Sequence, residues 1–124
     1  MATVLVVDDV ASNREIVGTL LGYRGHRVLE AGAASEALAL ARNHKAPIHL
    51  LVTDVVMPGM DGRELADRLA PLHPETRCLF MSGYTDDAIV HHGVLDLGKA
   101  FLQKPFKAES LTRKVREVLD TPRP

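Results

Sequence analysis

A second cysteine is missing from this chain, and with it any internal disulfide; the single thiol, Cys78, points to a reducing compartment. Cys78 sits in the apolar run Cys78-Leu79-Phe80-Met81 and is expected to be buried and inert. Nor does either charge dominate. Fifteen Lys and Arg stand against 16 Asp and Glu, a formal net charge of −1, which gives no electrostatic case for nucleic acid or a membrane surface. No apolar stretch reaches the roughly 18 residues that a membrane span requires. No basic segment precedes the strand-like Thr3-Val4-Leu5-Val6-Val7, so no signal peptide is read and a cytoplasmic location is expected. Gly-rich phosphate loops of the G-x-G-x-x-G or G-K-[ST] type are lacking, which argues against a nucleotide or flavin module. Longer-period repeats and low-complexity segments are lacking too.

What remains is the composition of one folded domain. The chain has 124 residues, 46% hydrophobic and 25% charged, enough to bury a sizeable core. Val4 to Val7 reads as a strand buried on both faces, stopped by two aspartates. Ser12-Asn13-Arg14-Glu15 fits a capping box, and the helix after it carries Ile16, Leu20 and Leu21 as its apolar positions, with Gly25 as a stop. A weaker strand, Arg27 to Ala31, precedes a helix from Ala34 to Asn43 whose apolar face is Ala37, Leu38 and Ala41. Ile48 to Thr53 is the strongest strand and runs into Asp54; Met57 to Gly62 has loop chemistry. A third helix runs from about Gly62 to Leu72, closed by Pro74, and a fourth strand spans Cys78 to Met81. A helix over Asp86 to Leu97, a strand over Ala100 to Gln103 and a helix over Lys107 to Leu119 complete the chain, the last with a stripe of Leu111, Val115, Val118 and Leu119. The expected domain is 1–120, with 121–124 as a frayed tail. Strand and helix alternate five times, which predicts an α/β fold: a five-stranded parallel sheet, doubly wound, with right-handed crossovers.

In such sheets ligands bind beyond the carboxyl ends of the strands. Those ends carry Asp8 and Asp9, then Asp54, then Ser82 and Gly83, then Lys104. An Asp before a helix is more often a cap than a catalyst, but Ser12 has the better claim on that helix end, which leaves the two aspartates without a structural task. Clustered carboxylates raise one another's pKa unless a cation sits among them. Oxygen ligands favour a hard cation such as Mg²⁺. Lys104 supplies a positive charge for a phosphoryl group and Ser82 a donor. An Asp nucleophile so surrounded is a site for making an acyl phosphate.

These residues carry a resemblance. Val4-Leu5-Val6-Val7-Asp8-Asp9, Asp54 with Met57-Pro58-Gly59-Met60-Asp61-Gly62, Met81-Ser82-Gly83-Tyr84 and Lys104-Pro105-Phe106 occur in an order and spacing that resembles the receiver domains of bacterial response regulators over nearly the whole chain. The resemblance implies a CheY-like, flavodoxin-like (βα)5 fold with strand order 2-1-3-4-5. It implies Asp54 as phosphoacceptor; Asp9 as a direct Mg²⁺ ligand, Asp8 holding the ion through water, Asp54 and the Val56 backbone carbonyl completing the set; and Mn²⁺ as a substitute ion. Lys104 would pair with the phosphoryl group, with Ser82 and the backbone N–H groups near Val56 and Gly83. The donor would be a phosphohistidine on a sensor histidine kinase or a phosphotransfer domain. Ser82 and Phe101 would form the switch, and the output face would be the fourth helix, fifth strand and fifth helix, which could also support a homodimer. The Lys104–Pro105 bond is expected to be cis. The stretches around Ser82 and Lys104 are most similar to the C-terminal receivers of hybrid sensor histidine kinases.

Where many relatives carry a further acid, this chain has Val10. Val56 and Tyr84 flank the expected path of the hydrolytic water; one cannot hydrogen-bond a water and the other is bulky, so a long-lived phosphoryl group is expected. No enzymatic turnover is expected of the isolated domain. The alternative, an Asp-nucleophile phosphatase on a similar sheet, usually has a second carboxylate two residues after the nucleophile, where this chain has Val56. Six histidines (His26, His44, His49, His73, His91 and His92) show no zinc-type spacing and are expected to be solvated; His91 and His92, adjacent on a helix, do not share a face.

Overall fold

Apolar β-branched runs with no polar alternation can satisfy both faces only inside a covered sheet, and that is where they lie. In the computed structural model, which describes residues 2–82 and 100–121, the strands are β1 (Thr3–Val7), β2 (Arg27–Ala31), β3 (Leu50–Asp54), β4 (Arg77–Ser82) and β5 (Ala100–Gln103). All pair in parallel, in the order β2-β1-β3-β4-β5. The order reverses between β1 and β3, so the crevice at this switch point opens where Asp8 and Asp54 leave their strands. Among the described residues four helices surround the sheet: α1 (Ala11–Tyr23), α2 (Ala34–Asn43), α3 (Gly62–Leu69) and α4 (Ala108–Asp120). The helix expected over Asp86 to Leu97 lies outside the described residues, as do Gly83, Tyr84, His91, His92 and residues 122–124.

Alternation along each strand divides the core in two. Leu5, Val7 and Leu51 face one side, where they meet Ala37, Leu38 and Ala41 of α2 and Leu65 and Leu69 of α3. Val4, Val6, Leu50, Val52, Leu79 and Met81 face the other, against Val17 and Leu21 of α1 and Leu111, Val115 and Val118 of α4. A third, small cluster of Val55 and Phe80, with half-buried Phe101 against it, lies next to the switch point. Every side chain of β3 is buried, which holds the strand that ends in Asp54 by contacts on both faces.

Several expectations change. No side chain caps α1: its N-cap is Val10, the helix begins at Ala11, and Ser12 is an exposed residue of the first turn. The cause is Asp8, whose carboxylate accepts the Val10 N–H at 2.9 Å and turns the chain into helix two residues early. The buried face of α1 is then Val17, Gly18 and Leu21, with Leu20 partly covered, while Ile16 is 56% exposed. Gly25 does stop the helix, at φ +90°, a conformation in which a Cβ would be strained. α3 ends at Leu69 rather than Leu72, because Leu72 and His73 both fold back to donate to the Leu69 carbonyl. Its N-cap is Asp61, which accepts the Glu64 N–H at 2.9 Å. Cys78 is half-buried rather than buried, since the amino end of β4 is the less covered end.

The histidines are not uniformly solvated. His73 is only 7% exposed; its Nε2 lies 2.8 Å from the Ala41 carbonyl and its Nδ1 2.9 Å from the Glu75 carboxylate. Glu75 also accepts the Ile48 N–H at 3.3 Å, so this pair ties the end of α2 to the entry of β3. His49 and His26 are half-buried and accept backbone N–H groups at Nδ1.

Candidate functional site

Four strand ends deliver the site. Asp8 follows β1, its N–H donating to the Ala31 carbonyl of β2 at 3.2 Å, so its backbone continues the sheet while its side chain is fully buried. Asp9, one residue on, is exposed. Asp54 ends β3 and is 7% exposed; Ser82 ends β4 and is 2% exposed. Lys104 follows β5, and its N–H donates to the Ser82 carbonyl at 2.7 Å. The Lys104–Pro105 peptide is cis, as expected.

The side chains converge. The Lys104 ammonium lies 2.5 Å from the Asp54 carboxylate and 3.1 Å from that of Asp8. Asp8, Asp9 and Asp54 each offer a carboxylate oxygen, all within 4.8 Å of one another. One ammonium therefore faces three carboxylates, and the pocket is short of positive charge when all are ionised. Burial, and then the Asp8 carboxyl, raise the Asp54 pKa from 3.8 to about 7, against the lowering pull of Lys104. Burial works to lower the pKa of Lys104, but the ion pairs with Asp54 and then Asp8 outweigh it, and the pKa ends above its ordinary value. The donor set, three carboxylates with no nitrogen or sulfur, fits a small hard divalent cation.

Some members were not legible in the sequence. Arg14, expected only as part of a capping box, donates to the Asp8 carbonyl at 2.7 Å and lies 3.6 Å from the Glu30 carboxylate. It braces the acidic turn from behind. Gly62 carries a steric requirement: a Cβ there would overlap the Asp54 carbonyl oxygen, and its N–H donates to Val55 at 2.8 Å. Thr53, buried, donates to the Asp54 carbonyl at 3.0 Å. Asp8 itself has a structural task, contrary to expectation, through Val10, which engages one carboxylate oxygen and leaves the other to Lys104. Val56 is half exposed, at 51%, beside the pocket. Phe101, half-buried, packs against Val55 and Phe80. Gly83 and Tyr84 lie outside the described residues.

A doubly wound parallel sheet thus carries three carboxylates, a hydroxyl and a lysine at its switch point. The response regulator receiver domain family matches residues 4–116, and the chain belongs to that family. It is 38% identical over 119 residues to the sensor kinase CckA of Brucella abortus strain 2308, a match that covers 96% of this chain and 13% of that protein. The response regulator receiver protein CpdR of the same organism is 29% identical, with 96% of this chain and 98% of that protein covered. Among solved structures, the receiver domain of the hybrid histidine kinase CckA superposes with a TM-score of 0.79 at 30% identity, covering 96% of this chain and all of that one. A CheY-like receiver from Methanospirillum hungatei JF-1 superposes with a TM-score of 0.83 at 28% identity, covering 97% and 94%. The chain spans 13%, 31% and 49% of three of its curated relatives, so it corresponds to a part of those proteins. The similarity to a hybrid-kinase receiver agrees with the resemblance read from the motifs around Ser82 and Lys104. Among the described residues no helix is long and apolar enough to cross a membrane.

Proposed function

We propose that this receiver domain accepts a phosphoryl group on Asp54 from a phosphohistidine of a sensor histidine kinase or a histidine phosphotransfer domain. The observation that supports this best is the Asp54 carboxylate, buried at a strand end and held 2.5 Å from Lys104. In the transfer an Asp54 oxygen attacks phosphorus, the N–P bond breaks, and the imidazole leaves with the bonding electrons, neutral because its other nitrogen carries a proton. Lys104 neutralises charge on the transferred group, and Ser82 supplies a hydroxyl donor at the neighbouring strand end. Asp9, Asp54 and the Val56 carbonyl would hold Mg²⁺, with Asp8 behind, and the ion would screen the phosphoryl oxygens from these carboxylates. Gly83 belongs to the same assignment by resemblance.

The transferred group carries charge into a site already short of cations, so Ser82 and Lys104 must follow it. Lys104 is bonded through its backbone to Ser82, and Phe101 stands three residues before it against Val55 and Phe80. This path supports Ser82 and Phe101 as the switch and β5 with α4 as part of the output face. Exposed Val10 (46%) and Val56 (51%) rim the pocket and would meet the donor's apolar surface. The parent protein is read as a hybrid histidine kinase.

Incubation with acetyl phosphate and Mg²⁺, followed by intact-mass measurement, tests the assignment. One phosphoryl unit is expected on the wild type and none on Asp54→Asn. Equal labelling of both would refute it.

A further inference from the structure

The opposite end of the sheet, where the strands begin, holds a second polar cavity. Its volume is about 540 Å³. Its walls come from the residues that enter the strands (Ala2 before β1, His26 before β2, His49 before β3, Arg77 in β4), from the end of α1 with Arg24 just beyond it, and from one side of α4 between Thr112 and Asp120. It lies a full strand length from Asp54 and shares no residue with the acidic pocket.

Its chemistry is the inverse of that pocket. Arg24, Arg77 and Arg116 line it, and none of the three has a carboxylate partner among the described residues. Asp120 is the one acid in the wall, which leaves a local excess of positive charge in a chain whose formal net charge is −1. Two imidazoles add directed donors. His49 Nδ1 accepts the Thr3 N–H at 2.9 Å and His26 Nδ1 accepts the Ala2 N–H at 3.4 Å. A neutral ring that accepts at Nδ1 carries its proton on Nε2. Burial lowers the His26 pKa and so favours the neutral ring. Both rings therefore present a fixed N–H donor whose tautomer is set by the backbone.

Solvated arginines at the edge of a sheet are common and need no ligand. Three guanidiniums and two oriented N–H donors around one cavity are a different matter, because guanidinium forks match phosphate oxygens and a concave wall lets several of them act on one anion. The volume exceeds that of inorganic phosphate and falls within the range of small-molecule sites. Half-buried Leu119 provides an apolar part of the wall for an uncharged moiety. We infer that the cavity between the strand entries and the ends of α1 and α4 is a binding site for a small organic phosphate of nucleotide size carrying two or more negative charges, held by Arg24, Arg77 and Arg116 with His26 and His49 as donors.

Titration calorimetry of the chain with ATP as the probe, in EDTA to keep divalent ions from the acidic pocket, tests the inference. Adenosine and inorganic pyrophosphate serve as comparison ligands. Saturable ATP binding at a roughly millimolar or tighter Kd is expected, about tenfold or more tighter than either comparison ligand. Arg77→Gln and Arg116→Gln should each weaken it about tenfold while leaving the unfolding midpoint in place; Arg116 is exposed on α4 and serves if the β4 variant folds poorly. Amide and imidazole chemical-shift changes should centre on Thr3, His26 and His49. The absence of saturable binding, unchanged affinity in both variants, pyrophosphate binding as tightly as ATP, or shifts centred on Asp8 and Asp54 would each overturn it.

Discussion

Replacing Asp54 by Asn should stabilise the metal-free domain at neutral and alkaline pH, by an amount that the pocket itself sets. The carboxyl is 7% exposed and its pKa is raised from 3.8 to about 7, by burial first and then by Asp8. A raised folded-state pKa means that the native chain binds the proton more tightly than the unfolded chain. The contribution to stability is therefore whole below the unfolded pKa, near 3.8, and is lost as pH rises towards about 7. At about 1.4 kcal/mol per pH unit the full loss is about 4 kcal/mol, of which about 3 kcal/mol falls between roughly pH 5 and pH 8. Asn keeps the shape and cannot ionise, so this part of the pH dependence should vanish. Urea unfolding of both proteins in EDTA at those two pH values measures it. The variant should gain about 3 kcal/mol on the wild type across the interval. A difference between the two proteins that does not change with pH would refute the claim that Asp54 is destabilised as a carboxylate, and with it the charge deficit of the pocket.

Other consequences follow from the same contacts. Gly62→Ala should cost about 1–3 kcal/mol in urea unfolding and slow phosphoryl uptake, since its Cβ must displace the Asp54 carbonyl. Mg²⁺ at a concentration well above its Kd should raise the unfolding midpoint of the wild type, an effect smaller in Asp9→Asn, which lacks an exposed ligand but loses no core contact. His73→Ala should cost about 2–4 kcal/mol, because it takes the imidazole from the Glu75 carboxylate, leaves the Ala41 carbonyl with only the long His44 N–H contact, and opens a cavity; differential scanning calorimetry would show it as a lowered Tm. Val56→Asn, placing an amide at an exposed position beside Asp54, should shorten the acyl-phosphate lifetime measured by decay of the phosphorylated mass.

How far the sequence discloses all this depends on the range of the forces involved. β1 and β3 are plain in the sequence because burial on both faces demands uninterrupted apolar residues, and the buried acids that end those runs, Asp8 and Asp54, mark where the apolar strands give way to the site. α2 is legible for the same reason: Ala37, Leu38 and Ala41 repeat at helical spacing and are buried at those positions. α1 misleads because two local signals compete. Ser12 has the sequence of a cap, but the Asp8 carboxylate takes the Val10 N–H first, and the register of the buried face moves from Ile16 to Val17. His73 is opaque for another reason. Its partner carbonyl, Ala41, is 32 residues away, and nothing near His73 in the chain betrays it. Gly62 could have been suspected from the Asp61-Gly62 pair, but the close approach to Asp54 exists only once the loop has closed.

Lys104 is attached at both of its ends. Its backbone hangs from the tip of β4 while its ammonium reaches across to β1 and β3. An arginine would carry the same charge but not the same reach, and a one-residue slip of β5 would leave the acids without their cation. β5, an edge strand of the sheet, is thus positioned by an electrical tether as well as by its own ladder. Whatever neutralises or adds to the charge at the centre changes the tension on the rim.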